Sequence, residues 1–163
     1  MLRTVQRQSR RAVGGDFVIV ASRYNARYVD GMVRAARTEL RRAGARVRVV
    51  RVPGAYEIPI VAKRLARLAQ ADPPRAPAAI ICLGVILRGE TVHAAHIGEA
   101  VSQALMAIQL THELPVIHEV LLLENKAQAR KRCLNPRHNR GAEAAQTALQ
   151  MAAVLRRLFP NQT

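Results

Sequence analysis

The chain has 163 residues, enough for one domain with a buried core, and half of them are hydrophobic, which excludes a disordered protein. No apolar run reaches the roughly 18 residues of a membrane helix, so no membrane span is expected. The formal net charge of +15 would suit an anionic partner, but only 3% of residues are aromatic, so specific binding to nucleic acid is not expected.

The beginning of the chain is strongly basic. Residues 1–51 carry 13 arginines against three carboxylates and supply +10 of the net charge. Residues 1–14 are predicted to be a basic extension, without the apolar core or cleavage site of a secretory signal, ahead of a single domain over residues 15–160. Cys82 lies in an apolar run and Cys133 in a polar loop, without metal-ligand spacing. We expect two free thiols in a reducing compartment, and therefore a cytoplasmic protein.

The first half of the chain alternates two strands with two helices. A continuously apolar run over 17–22 predicts a buried strand, and the amphipathic helix that follows is stopped by Gly44. Apolar and polar residues alternate over 46–52, as in a half-buried strand. The second helix has Pro59 in its first turn, where the missing N–H costs nothing. Three of its residues are expected to face inward: Val61, Leu65 and Leu68.

The second half continues the alternation after a proline-rich surface connector. A buried strand is predicted over 78–83, then a loop over 84–89 and a long helix from Thr91 to about Leu110. The residues of this helix expected to face inward are Ile97, Val101, Leu105 and Ile108. A strand, a short helix and a final amphipathic helix complete the chain, over 115–122, 124–132 and 139–158.

This alternation of apolar strands with helices predicts a parallel sheet covered on both faces. The expected fold is a three-layer α/β/α sandwich around a four-stranded parallel sheet, doubly wound in the flavodoxin-like manner. In such sheets, ligands bind beyond the carboxyl ends of the strands. The loops in which to look for chemistry are therefore SRYN, PGAYE, LGVILRGETVH and HEVLLLEN.

The loop after the third strand has the features of an anion site. Gly89 permits a tight turn, and Thr91 opens a helix whose first N–H groups are unpaired. His93, expected one turn into that helix, titrates near neutral pH and can move protons on a bound ligand. A capped helix start with a solvated histidine is the alternative interpretation, and the residues do not decide between the two.

A metal site is not expected in the same segment. Two histidines and two carboxylates recur there at steps of three, and each step drifts by about 60° around a helix. At most one neighbouring pair can therefore share a metal ion. The four residues are Glu90, His93, His96 and Glu99.

The other loops offer further candidate ligands. Tyr24 presents a ring for stacking or closes the edge of the core, and Asn25 supplies an amide. Glu57 can bond ligand hydroxyls or complement the positive end of its helix. Arginines at 132, 137 and 140 crowd the segment before the last helix, where their forked guanidinium groups suit phosphate. The alternative for Arg140 is an ion pair with Glu143 one turn away.

Taken together, the loops resemble the lumazine synthase family in order and spacing over roughly residues 17–158. The matching segments are SRYN, VPGAYEIP, LGVILRGETVH and NRGAEAA. The resemblance implies an enzyme of riboflavin biosynthesis that needs no metal or redox cofactor. Its reaction would join 5-amino-6-(D-ribitylamino)uracil to 3,4-dihydroxy-2-butanone 4-phosphate and release 6,7-dimethyl-8-ribityllumazine.

The resemblance also implies a role for each matching residue of the uracil site. Residues 55–57 would hold the ribityl chain, and backbone groups of residues 85–87 would read the pyrimidine. Tyr24 stands where the family has another stacking aromatic residue. His118 stands where the family has a phenylalanine from a neighbouring subunit. The full set implied for this substrate is Tyr24, Asn25, Ala55, Tyr56, Glu57, Val85, Ile86, Leu87 and His118.

For the sugar phosphate, the resemblance implies binding by Glu90, Thr91, Arg132 and Arg140, with His93 as the acid–base catalyst. It implies pentamers, which in some members assemble into decamers or sixty-subunit shells, and a riboflavin synthase as a possible partner. Two alternatives remain open. One is a protein of this fold that binds lumazine or riboflavin without turnover, and the other is a basic shell that packages an anionic polymer.

Overall fold

The computed structural model describes residues 14–159, whose four strands form one parallel sheet. The strands are β1 Asp16–Ser22, β2 Arg46–Val52, β3 Ala79–Leu87 and β4 Val116–Leu123. They lie in the order β2-β1-β3-β4, which confirms the predicted sheet and matches the flavodoxin-like order. The predicted basic extension lies, apart from Gly14, outside the described residues.

The helices cover both faces of this sheet. They are α1 Ala26–Arg42, α2 Ile58–Ala71, α3 His93–His112, α4 Lys126–Cys133 and α5 Arg140–Leu158, with a short 3-10 turn at Pro73–Arg75. Helices α1, α4 and α5 lie on one face, and α2 and α3 lie on the other. The predicted three-layer sandwich is therefore confirmed. No helix within residues 14–159 is long and apolar enough to cross a membrane.

The core is divided between the two faces of the sheet by the alternation of side chains along each strand. Ile19 and Ile81 point toward α1 and α5, whereas Val20 and Cys82 point toward α2 and α3. Since β1 and β3 lie between other strands and under helices on both sides, their residues are almost all buried. The prediction that Leu68 of α2 faces this core is wrong, because its side chain is 49% exposed.

Local signals account for several element ends. Gly44 adopts a φ of 72° directly after α1, a conformation that glycine reaches without steric cost, and so it ends the helix as predicted. Asn139 caps α5 by accepting hydrogen bonds from the N–H groups of Gly141 and Ala142. Its Nδ2 donates to the carbonyl of Cys133 at 2.6 Å and so joins α5 to the end of α4.

Two element assignments require correction. The predicted loop over 84–89 is wrong because β3 continues through Leu87, where four apolar or small residues pair in register with Val120–Leu123 of β4. Cys133 does not lie in a polar loop but is the last, fully buried residue of α4. Both cysteines are free, and burial raises the pKa of each thiol, to about 12 for Cys133, so both thiols stay protonated.

Candidate active site

The strand order places the switch point of the sheet between β1 and β3, and in doubly wound sheets a crevice forms there at the carboxyl edge. The chain leaves β1 toward α1 on one face and leaves β3 toward α3 on the other, so the two loops diverge. This is the switch point at which doubly wound sheets bind ligands. Strand β1 ends at Ser22, one residue past the pairing of Ala21 with Leu83, whereas β3 runs on to Leu87. The end of β3 therefore projects beyond its neighbour.

The projecting part of β3 offers backbone groups to this crevice. Asn25 has a left-handed φ of 56°, and its Nδ2 donates to the carbonyl of Val85 at 2.7 Å. On the opposite side of β3, the N–H of Arg88 donates to the carbonyl of Leu123. Because backbone groups alternate in direction along a strand, those of Leu87 point to the same side as those of Val85. A backbone N–H and a carbonyl that point to the same side of a strand can form hydrogen bonds with the edge of a planar heterocycle.

The loops after β1 and β2 are tied together beside this crevice. The N–H of Arg23 donates to the carbonyl of Val52 at 2.8 Å, and that of Tyr24 donates to the carbonyl of Pro53 at 3.0 Å. The Tyr24 side chain is 71% exposed, so it does not close the edge of the core, and its ring is available for stacking.

Glu57 gives the β2–α2 loop its shape. Its Oε2 accepts a hydrogen bond from the N–H of Gly54 at 2.8 Å. The same turn leaves Ala55 buried and Tyr56 exposed. The three residues predicted to hold a polyhydroxyl chain thus lie together in one short loop that borders the crevice.

The loop after β3 enters α3 later than predicted. The helix begins at His93, so the expectation that His93 lies one turn inside it is wrong. Thr91 and Val92 form the preceding turn, and the Thr91 hydroxyl accepts a hydrogen bond from the N–H of His93 at 3.4 Å. Glu90, Thr91 and His93 are all exposed. A histidine at the first helical position lies closer to the carboxyl ends of the strands than one a turn further on.

A second group of predicted residues lies along the edge strand β4. His118 and Glu119 are neighbours whose side chains point to opposite faces, His118 toward α3 and Glu119 toward α5. Arg140 donates to both carboxylate oxygens of Glu119, at 2.7 and 3.0 Å, and also pairs with Glu143. Its guanidinium group is therefore held by two carboxylates. The ion pair with Glu143 was the predicted alternative to phosphate binding, and the pair with Glu119 was not predicted.

Glu119 is the residue that sequence reasoning missed here. Burial raises the pKa of its carboxyl, and the positive charges of Arg140 and Arg132 oppose that rise. Arg132 is half-buried and forms no ion pair with any of residues 14–159. Of the two arginines predicted to bind phosphate, Arg132 is the one whose guanidinium group is available. The sequence did contain a feature that could have identified Glu119. It is a carboxylate inside an apolar strand, and a buried carboxylate requires a cationic partner.

The predicted residues thus form two groups. The carboxyl-end cluster comprises Tyr24, Asn25, Ala55, Tyr56, Glu57, Val85, Ile86, Leu87, Glu90, Thr91 and His93. The β4-edge cluster comprises His118, Arg132 and Arg140, together with Glu119.

His118 lies away from the end of β3 in its own chain. His118 pairs in register with Cys82, five residues before the pair formed by Leu87 and Leu123 at the end of the strands. At a rise of about 3.3 Å per residue, His118 lies roughly 16 Å back from the carboxyl edge. A side chain at that distance does not contact a ring bound at the end of β3 in the same chain.

Within residues 14–159, no three histidine, cysteine, aspartate or glutamate side chains converge as a metal site would require.

The strand order, the crevice at the switch point and its polar loops define a flavodoxin-like α/β protein with a small-molecule site at the carboxyl edge of its sheet. The family model for 6,7-dimethyl-8-ribityllumazine synthase matches residues 14–156. The chain therefore belongs to the lumazine synthase family, as its loop motifs predicted.

Relatives of that name support the assignment over most of the chain. A Xylella fastidiosa protein is 42% identical over 151 residues, which cover 91% of this chain and 94% of the relative. A Stenotrophomonas maltophilia protein is 40% identical over 145 residues, covering 87% and 90% of the two chains. A Xanthomonas campestris protein is 40% identical over 142 residues, covering 85% and 88%. The roles of individual residues stay predictions.

Proposed function

We propose that this protein is an enzyme that condenses 5-amino-6-(D-ribitylamino)uracil with 3,4-dihydroxy-2-butanone 4-phosphate to give 6,7-dimethyl-8-ribityllumazine. The observation that carries the proposal is the crevice between β1 and β3, in a chain of the lumazine synthase family. The residues around this crevice match the chemistry of three parts of the substrates: a planar heterocycle, a polyhydroxyl chain and a phosphate.

The uracil ring lies against the exposed Tyr24 ring, with its amide edge on the backbone of Val85 and Leu87. Asn25 fixes the position of this backbone through its bond to the Val85 carbonyl. The ribityl hydroxyls reach the 55–57 loop, where one oxygen of the Glu57 carboxylate is held by Gly54 and the other remains to accept a hydrogen bond.

The reaction depends on alignment and proton transfer. The 5-amino group attacks the ketone of the sugar phosphate, and loss of water gives an imine. Phosphate then leaves, and attack by the ribitylamino nitrogen closes the second ring with loss of water. His93, at the exposed start of α3, takes up and returns protons in these steps. Holding both reactants in one orientation supplies much of the remaining rate enhancement.

The phosphate is bound by Arg132 and by the turn at Glu90 and Thr91. The guanidinium group of Arg132, which forms no salt bridge with the residues that the structure describes, can form charge-assisted hydrogen bonds with phosphate oxygens. Arg140 contributes through position rather than direct contact, because Glu119 and Glu143 already occupy its guanidinium group.

The site is completed between subunits of an oligomer built from pentamers. The roughly 16 Å between His118 and the carboxyl edge favours a shared site, in which a neighbour's β4-edge cluster meets the carboxyl-end cluster. An open groove of 430 Å³ between α2 and α3 begins at Tyr56. Ile60, Met106 and Leu110 are each more than half exposed on these helices, and burial of such a surface favours self-association.

Two further expectations belong to this proposal. The buried free thiols of Cys82 and Cys133 suit the reducing cytoplasm. A riboflavin synthase, which would consume the lumazine, is the expected partner enzyme.

The purified protein is expected to form lumazine from the two substrates at the same rate with and without a chelator. No residue of the carboxyl-end cluster requires a metal ion in the role assigned to it. Product formation is followed by the absorbance and fluorescence of the lumazine. Activity that disappears with chelator and returns with a divalent ion would refute the cofactor-free reaction. Tight product binding without any turnover would instead support the non-catalytic binding protein.

A further inference from the structure

His118 is held in place by groups of its own chain. Its Nε2 lies 2.8 Å from the hydroxyl of Ser102 on α3, and its Nδ1 accepts a hydrogen bond from the N–H of Val120 at 3.3 Å. The Ser102 hydroxyl donates to the carbonyl of Gly98 at 2.7 Å. Both ring nitrogens therefore have partners within the chain.

These contacts determine which nitrogen carries the proton. The single hydrogen of the Ser102 hydroxyl is directed to Gly98, so the Ser102 oxygen accepts from His118. Nε2 of His118 is then the N–H nitrogen, and Nδ1 keeps its lone pair for Val120. A proton on Nδ1 would face the N–H of Val120, so this arrangement favours the neutral ring.

Within residues 14–159, His118 forms no ion pair. Glu99 of α3 accepts a hydrogen bond from Gln103, and Glu119 points to the opposite face of β4, where it pairs with Arg140. Cys82, the register partner on β3, has a pKa raised by burial and stays protonated. Burial lowers the pKa of His118 itself.

We propose that Ser102 is a positioning residue that fixes the tautomer and orientation of His118, so that the histidine acts as an uncharged stacking ring. With both nitrogens occupied, the ring presents its faces and C–H edges to a ligand. His118 then serves the uracil substrate as a phenyl ring would, and not as an acid or base. The role of His118 toward the substrate rests on the proposed function. The fixing of the His118 ring by its hydrogen bonds to Ser102 and Val120, which we call the lock, does not.

The lock is tested by ¹⁵N NMR of the histidine side chains in the intact oligomer. Wild-type His118 is expected to show the Nε2–H tautomer and to become protonated only at a lower pH than a free histidine. In Ser102→Ala its two nitrogens should show averaged shifts, because the ring is no longer held in one orientation. Ser102→Thr keeps the hydroxyl and should restore the wild-type signature. Identical ring signals in wild type and Ser102→Ala would overturn the lock.

The role toward substrate is tested by kinetics on the same variants. Loss of one hydrogen bond predicts that Ser102→Ala raises KM for the ribitylaminouracil about two- to tenfold at unchanged kcat. In a His118→Phe background the same substitution should have no effect, because the residue that Ser102 positions is gone. An equal rise in KM in that background would show that Ser102 acts elsewhere. Absence of uracil binding in the wild type would reject the proposed function, while the NMR result would still decide the lock.

Discussion

Arg132→Ala is expected to raise KM for the butanone phosphate about ten- to a hundredfold and to leave KM for the ribitylaminouracil nearly unchanged. The reason is that Arg132 is half-buried and forms no salt bridge within residues 14–159, so its guanidinium group can bind the phosphate directly. A charge-assisted contact of this kind contributes about 1.5–3 kcal/mol. Steady-state kinetics with each substrate varied in turn measures the effect.

Arg130→Ala is the matched control, because Arg130 lies on the same helix, α4, and is exposed. It removes the same charge from the oligomer, so a general electrostatic effect on the anionic substrate would appear in both variants. We expect its KM values to stay close to those of the wild type. Equal weakening of both substrates by Arg132→Ala would contradict the phosphate role.

Gly141→Ala is expected to destabilise the fold by about 3 kcal/mol, at the upper end of the usual cost of overpacking. Gly141 lies where α5 crosses α1, and a Cβ there would be 2.1 Å from the carbonyl oxygen of Met32. Backbone cannot rotate away as a side chain can, so the two helices must separate. At fixed protein concentration, the midpoint of thermal unfolding should fall by about 6–12 °C.

Gly98→Ala supplies the control for this substitution. A Cβ at Gly98 of α3 would have Leu122 as its nearest neighbour, at an ordinary contact distance of 3.7 Å. Since alanine favours helix over glycine by about 1 kcal/mol, this variant should be as stable as the wild type or slightly more so. A midpoint for Gly141→Ala as high as that of Gly98→Ala would show that α1 and α5 do not approach as described.

The sheet and its helices could be predicted from local patterns. Apolar runs such as 17–22 identify buried strands because β1 is covered on both faces, and Gly44 marks a helix end because its backbone needs a positive φ. The position of the candidate loops at the carboxyl edge followed from the strand–helix alternation. These features depend on short stretches of sequence, so the sequence was sufficient for them.

Predictions failed where pairing with a distant segment decides the structure. The extension of β3 to Leu87 depends on the matching length of β4, which lies some thirty residues further along the chain. The ion pairs of Glu119 with Arg140 and the contact of His118 with Ser102 join separate elements in the same way. Leu68 has the spacing of a core residue, yet it is 49% exposed, because the neighbouring elements do not cover this part of α2.

The resemblance implied that the residue at His118 comes from a neighbouring subunit, but the distance between His118 and the carboxyl edge could not be predicted from the sequence. The loop motifs placed Arg132 and His118 in the same site as Tyr24 and His93, but they gave no distances. The strand register separates His118 from the carboxyl edge by five residues, which supports the proposal that a neighbouring subunit supplies this ring. We therefore propose that each site is shared between two subunits.

Co-assembly of two inactive variants tests this claim most directly. One variant, Tyr24→Ala/His93→Ala, loses the carboxyl-end cluster, and the other, His118→Ala/Arg132→Ala, loses the β4-edge cluster. If the two are expressed together in equal amounts and mix at random, about one quarter of the interfaces in a cyclic oligomer should join two intact halves. We predict activity near that fraction of the wild type from two parents that are nearly inactive by themselves. Activity of the mixed oligomers no higher than that of the parents would place each site within one chain and contradict the claim.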